Sequence, residues 1–406
     1  MTVPFPATRA EALARLAAFA PRAGRAYGGN RNRDAGPGRH IHVSRLSPAL
    51  RRRVITEAEV LAAVLEQHSP SAADSFIREV CWRTYWKGWL EQRPAVWRAY
   101  LTDVAQLEQD ADLMDRVSVA TSGQTGIDCF DAWATELATT GYLHNHARMW
   151  AASIWVFTLR LPWQLGARWF LHHLLDGDPA SNTLSWRWVA GLHTAGKHYL
   201  ARASNIRDYT DGRFDPRGCL EEAAVPLPPD GPFPRQPLPK PAQPDPALRT
   251  GLFLTTEDLD APSLLAEYPT LEIVALAAPD RIGGTPSLIK RTFVESALSD
   301  GVARAESHSG VAADRLDEAA LVSEMRAWAS GHGLTQVVTA YPAVGPVADR
   351  VGEIGHALAQ DGVTLVRLSR AWDVLAWPHA TKGFFAFKEV IPTLLETLPV
   401  RQGALL

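Results

Sequence analysis

Two regimes of apolar spacing divide the chain. Up to about residue 218, apolar positions recur every three or four residues, the period of a helix with one buried face. They predict helices over Arg9–Ala20, from Ser47 through the VITEAEVLAAVLEQ run, and across Ser75–Pro94. Further helices are predicted over Asp131–Leu137, Asn145–Thr158 and Gly166–Leu175. Gly28–Gly38 reads as a Gly/Asn/Arg-rich loop, and the acidic stretch Tyr100–Val119 as a connector. Beyond residue 250 the pattern changes to short apolar runs at 251–256, 271–278, 336–340 and 363–369. Helical stretches lie between them at Asp317–Gly331 and Val347–Gln360. Such strand–helix alternation predicts a parallel sheet with crossover helices. No glycine-rich nucleotide fingerprint follows any of these strands.

Between the two regimes, Pro226–Pro246 holds ten prolines in 21 residues. So many missing N–H donors exclude helix and sheet interiors. At ~3.1 Å per residue, an extended proline-rich segment of this length reaches roughly 65 Å, enough to cross a domain face. The predicted class is therefore multidomain α and α/β. An all-helical domain spans 1–220, a proline-rich linker 221–248, and a small parallel-sheet, Rossmann-like domain 249–406.

Composition sharpens this picture only in places. The 406 residues have room for two domains, and 46% hydrophobic with 21% charged residues is ordinary for a globular protein. Cys81, Cys129 and Cys219 are widely spaced and fit free thiols in a reducing compartment. The first residues lack an apolar signal core and no run approaches a membrane span, so a cytoplasmic protein is expected, with no membrane partner. Net charge is −3, but unevenly placed: 26 Lys+Arg face 21 Asp+Glu through Arg217, leaving 15 against 23 beyond it. A basic first half allows a phosphate-binding face without requiring one. Eleven of the 14 tryptophans also lie in that half.

The candidate chemistry clusters there too. His144, Asn145, Arg148 and Met149 fall at helical spacing, ahead of the apolar series Trp150, Ile154 and Phe157. A buried Asn or Arg needs a partner, which Asp176 or Asp178 can supply to Arg148. Singly these are ordinary core polars; together they suit a large polar ligand held among helices. Ser44 and Ser47, before Pro48, suit either a plain helix cap or a phosphate. Glu79, Trp82 and Arg83, with Trp86 a turn on, read as core plus solvated face or as a recognition helix. Arg51, Arg52 and Arg53 read as a solvated helix face, with DNA phosphate contact the alternative. No metal-ligand spacing is found: His172–His173 and the His144/His146 pair lack companions.

These stretches, quoted in order, resemble the photolyase/cryptochrome family over roughly Ala12–Gly218. The chain reads Thr140-Gly141-Tyr142-Leu143-His144-Asn145-His146-Ala147-Arg148-Met149, then Trp163, then Asp176-Gly177-Asp178-Pro179-Ala180-Ser181-Asn182, then Trp186 and Trp188. Upstream, Ser44, Leu46 and Ser47 match the family's phosphate-binding motif, with Val43 in place of its Thr. Arg33-Asp34 fits the preceding Arg-Asp, and Tyr27 the tyrosine, at a longer spacing. Glu79-Val80-Cys81-Trp82-Arg83 resembles the family's Glu-x-x-Trp-Arg helix. The α/β part resembles the family's other domain more weakly, through FLTTEDL and TKGFFAFKEVIP. In the family that domain comes first, so the resemblance implies a circular permutation. No antenna chromophore is inferred.

The resemblance implies FAD as cofactor, with Tyr27, Ser44, Leu46, Ser47, Arg83, Asn145, Arg148, Asp176, Asp178 and Asn182 as its contacts. Asn182 would face flavin N5, and Arg148–Asp176 would be a buried pair beside the ring. It further implies light-driven splitting of cyclobutane pyrimidine dimers in DNA. Glu79 would hydrogen-bond the bases, Trp82 and Trp188 would form an aromatic slot, and Met149 would line it. Trp186 and Trp163 would be the inner members of an electron-transfer chain whose surface member has no match near Asp110. His146 stands where the family has Arg. The alternative is a cryptochrome-like blue-light receptor with a protein signalling partner; a monomer is expected.

Overall fold

The computed structural model describes residues 5–194 and 196–398. Most predicted helices form, with caps that explain their bounds. Thr8 caps Arg9–Phe19 and Thr56 caps Glu57–Leu65, each in a reciprocal capping box with Glu11 or Glu59. Ser69 and Pro70 start the long helix Pro70–Glu91, which buries Phe76, Ile77, Cys81, Tyr85 and Leu90. Helix Asn145–Ser153 continues into a π-helical turn, Ile154–Thr158. Asp178 caps Pro179–Val189 by accepting from the Ser181 N–H (2.9 Å).

Three sequence expectations fail in this half. The run from Ser47 is two helices, Ser47–Arg51 and Glu57–Leu65, broken where Thr56 caps the second. The acidic connector is two helices, Pro94–Leu107 and Ala111–Thr121. Asp110 caps the second by accepting from Leu113 N (3.0 Å), while Tyr100, Val104, Val117 and Ala120 turn inward. Its acids are the wet face of an amphipathic pair, whose inward residues are spread too thinly to read as a run. The Gly28–Gly38 loop also begins inside a short helix, Arg25–Asn30.

Residues 221–249 carry no helix or strand. Beyond them lies a five-stranded parallel sheet: β1 Thr250–Phe253, β2 Ile273–Pro279, β3 Ala313–Leu316, β4 Gln336–Ala340 and β5 Thr364–Leu368. The order is β3-β2-β1-β4-β5. Leu252 pairs with Leu276 and with Val338, so β1 is the central strand, and all four of its residues are buried. The edge strand β3 was missed because ADRL, with Asp314 and Arg315 exposed, has no apolar run. Helix Leu288–Ser309 was missed as well. Its buried face mixes Phe293, Val294 and Leu298 with Ala297, Gly301 and Ala305, too small to register as a stripe.

The two parts meet across a buried ionic seam. Arg51, Arg52 and Arg53 are 3%, 6% and 5% exposed, so the expected solvated face does not exist. Arg51 makes a bidentate pair with Glu257 (2.8 and 2.7 Å). Arg53 reaches Asp373 (2.6 Å) and Asp258 (3.4 Å), and Arg370 closes on Asp258 (2.7 Å). The counter-charges lie more than 200 residues away, where no local pattern can show them. Among the described residues, no helix is long and apolar enough to cross a membrane.

Candidate functional site

The site grows from three helices and one loop. Arg148, on Asn145–Ser153, donates from both Nη atoms to the two oxygens of Asp176 (3.0 Å each). Its Nε donates to the Leu143 carbonyl (2.9 Å), which fixes the fork. Asp176 is 4% exposed, and Arg148 with Arg83 outweighs burial to hold its carboxyl below the usual range. Asp178 pairs with Arg83 from Pro70–Glu91. Burial opposes its ionisation, but Arg83 and Arg51 bring its pKa to about 2. Both acids are therefore anions at neutral pH, side by side behind Gly177.

Asn182 sits one turn into the helix that Asp178 caps, 7% exposed. Its amide nitrogen donates to the Ala167 carbonyl (2.7 Å), which fixes the orientation of its carbonyl. Trp186, one turn further, is buried against Phe170 (5.0 Å) and Trp155 (6.1 Å). Gly166 makes this possible: a Cβ there would stand 2.3 Å from the Trp186 ring. Trp155 in turn stacks on Trp169 (5.6 Å, 17°). Trp163 stacks instead on Tyr100 (5.8 Å), which stacks on Trp97 (5.1 Å). Sequence reasoning passed over both extensions, Trp155–Trp169 and Tyr100–Trp97.

Ser44, Leu46 and Ser47 lie at the start of helix Ser47–Arg51. Leu46 is fully buried, and Ser44 Oγ accepts from Leu46 N (3.3 Å). A cavity of about 520 Å³ opens beside Ser44, walled by Phe5, Arg15, Arg22, His40 and Arg45. Arg45 holds a left-handed backbone (φ 54°) to face it. Burial and the nearby Arg45 both lower the Arg15 pKa, so these two cations would gain from an anion. Phe5 packs on Tyr142 (4.9 Å), whose ring lies under Arg148 (5.3 Å), which links the cavity to the ion pair.

Other candidates fall less centrally. Tyr27 is a core ring against Phe76 (5.2 Å) and Phe19 (6.1 Å). Asn145 opens its helix and is exposed, and Met149 is half-buried. His146 shares Nδ1 with the Asn32 carbonyl (3.0 Å) and packs on Trp150 and Tyr209; burial lowers its pKa. It ties down the 31–34 loop. Glu79 is engaged by Arg31, and burial raises its pKa. Trp188 stacks on Tyr199 (5.7 Å, 25°), while Trp82 stacks on Phe384 (3.7 Å, 12°). The two expected walls of the slot thus hold different partners. Lys290 went unnoticed in the sequence. It donates to the Leu171 carbonyl beside Gly177, and burial takes its pKa to about 7.

Asp34, His40 and Glu136 also converge in the interior, although no sequence spacing joins them. His40 Nε2 lies 2.9 Å from Glu136, and Asp34 is already taken by Trp133 Nε1 (3.0 Å) and Arg213 (2.6 Å). This is an imidazole between two carboxylates, a structural tie.

With this geometry in view, the comparisons are direct. The family model of the FAD binding domain of DNA photolyase matches residues 76–226. A deoxyribodipyrimidine photo-lyase of Streptomyces griseus is 37% identical over 179 residues, 41% of this chain and 38% of that protein. The helical half of this chain is similar to the photolyase/cryptochrome family. Another photo-lyase, of Agrobacterium fabrum, is 34% identical over 36% of this chain and 32% of its own length. The chain thus spans about a third to two fifths of these curated relatives. A class III photolyase structure from Agrobacterium tumefaciens is 27% identical over 50% of this chain and 43% of that one, with a TM-score of 0.43.

FAD is the cofactor of the matched domain. The residues present fit it. The matched motifs leave His144 Nε2, Ser181 Oγ and Thr183 Oγ1 buried without partners. The cationic cavity at Ser44 has the chemistry of a diphosphate site.

Proposed function

We propose that this chain uses light and reduced FAD to split cyclobutane pyrimidine dimers in DNA. The observation that carries the reading is the assembly around Asp176-Gly177-Asp178. Two arginine-held carboxylates, the oriented Asn182 amide and the Glu79–Trp82–Arg83 helix converge there from separate parts of the sequence.

When bound, reduced FAD supplies an excited electron to the dimer and takes it back after the ring opens. The protein's own part is to hold and exclude. Arg148–Asp176 and Asp178–Arg83 would set a fixed field for a bound flavin, and the Asn182 carbonyl would accept from its N5. Ser44, Ser47 and Arg45 would hold the diphosphate. Glu79 receives hydrogen bonds from the bases, Trp82 and Trp188 stack, and Met149 lines the pocket. A dimer leaves the duplex more cheaply than an intact pair because it already pairs poorly. Arginines and lysines of the basic half hold backbone phosphates, so binding weakens with salt. The order of the domains is read as a circular permutation.

A second reading, a light sensor without repair, is favoured by one observation: Phe384 already covers Trp82. Trp82→Ala separates core from substrate roles. Binding to a dimer-containing oligonucleotide should fall at least about tenfold while FAD affinity holds. Equal loss of both would reduce Trp82 to a core residue.

A further inference from the structure

We propose that Phe384 is an intramolecular occupant of the slot at Trp82, and that a substrate ring binds there only by displacing it. This rests on the reading of Trp82 as a substrate-stacking surface. The contact is unusual for core packing. The rings lie face to face, centroids 3.7 Å apart and 12° from parallel. Aromatic side chains more often offset or tilt, and the neighbouring pairs do: Trp82–Trp86 at 31°, Tyr85–Phe387 at 56°, Tyr85–Phe384 at 80°. Phe384 presents to Trp82 what a nucleobase would present, a flat face.

The surrounding contacts divide into a hydrogen-bonded anchor and a turn held by packing, with Phe384 5% exposed. Gln92 donates to the Trp377 and Ala380 carbonyls (2.9 and 3.2 Å), and Arg93 to the Thr381 carbonyl (2.9 Å). Tyr85 Oη donates to the Lys382 carbonyl (2.7 Å). These bonds pin residues 377–382 along helix Pro70–Glu91. At Gly383 they stop, and a five-residue turn begins with Phe384. Its outer residue Phe385 is 81% exposed, whereas Phe387 is fully buried behind it. Swinging Phe384 out needs movement about Gly383 and leaves the anchor in place.

The chemistry of the displacing ligand follows. Entry requires more stacking than Phe384 gives up. A single flipped base offers one ring in exchange for one. Two covalently joined pyrimidines add further area and polar edges that Glu79 can meet. Phe384 therefore gates the slot, scaling the apparent affinity of any ring that enters it by the fraction of molecules with the slot open.

The test uses the full chain loaded with FAD. Binding is measured to a labelled single strand with one thymine dimer, and to the same strand without it. Phe384→Ala should tighten dimer binding about tenfold (~1.4 kcal/mol) and leave the preference for dimer over undimerised DNA unchanged or wider. Trp82→Ala in the same background should remove the gain, and Phe385→Ala should change nothing. If Phe384→Ala does not fold, Phe384→Leu, which keeps bulk but loses the flat face, should shift affinity in the same direction. Unchanged or weaker binding, with wild type still selecting the dimer through Trp82, overturns the gate and leaves the repair reading standing. If no variant selects the dimer, the Trp82 reading fails and the gate falls with it.

Discussion

At the scale of single residues, the account turns on buried charges that are safe only in company. Arg148 and Asp176 make a bidentate pair with the acid 4% exposed. Arg148→Met strands that carboxylate and should cost on the order of 3–5 kcal/mol in chemical denaturation. Adding Asp176→Asn should recover part of the loss, and a loss below ~1 kcal/mol would mean the pair behaves as a surface bridge. Glu91 is the opposite case. Burial pushes its carboxyl up to about 7, against hydrogen bonds from Tyr341 Oη (2.8 Å) and Val344 N. An unfolded glutamate titrates near ~4.3, so the native state holds this proton more tightly. The resulting stabilisation is complete below that value and is lost as pH rises through about 7. Between pH ~4.5 and ~8 wild type should lose about 3 kcal/mol more than Glu91→Gln. Parallel stability profiles would contradict the shift.

At the scale of elements, packing around Gly166 positions the aromatic interior. Its missing Cβ lets Trp186 and Trp155 approach to 2.3 and 3.0 Å of where that atom would be. Gly166→Ala should therefore cost about 1–3 kcal/mol and change the near-ultraviolet dichroism of the tryptophans. An unperturbed spectrum with wild-type stability would show that the two rings have room to spare. Elements of this kind were legible where local chemistry sets them. Ser47 before Pro48 marks a helix start, and the apolar runs at 336–340 and 363–369 locate β4 and β5. The ordered motifs from Thr140 to Trp188 made the Arg148–Asp176 pair legible as well. Legibility failed where partners are distant or patterns thin. Arg51–Arg53 looked solvated because Glu257, Asp258 and Asp373 lie in the other half. Edge strand β3 has no apolar run to betray it. Nothing near Trp82 in sequence points to Phe384, three hundred residues on.

At the scale of the whole molecule, the two halves share one apolar core and are also joined by charge. Arg51, Arg53 and Arg370 interleave with Glu257, Asp258 and Asp373 in a seam with no solvent to screen it. Such seams add little net stability but penalise misdocking heavily, because any slip leaves a buried ion unpaired. They fix one arrangement, and that arrangement sets residues 377–387 against helix Pro70–Glu91, with Phe384 on Trp82. The second half is thus structurally part of the candidate site. The central claim concerns that site, and one measurement tests it most directly. The purified chain, loaded with reduced FAD, is given an oligonucleotide with a defined thymine dimer, under blue light and in the dark. The account predicts restored thymines in light only. Bound, photoreducible FAD with no repair in light would contradict it and leave the sensor reading in its place.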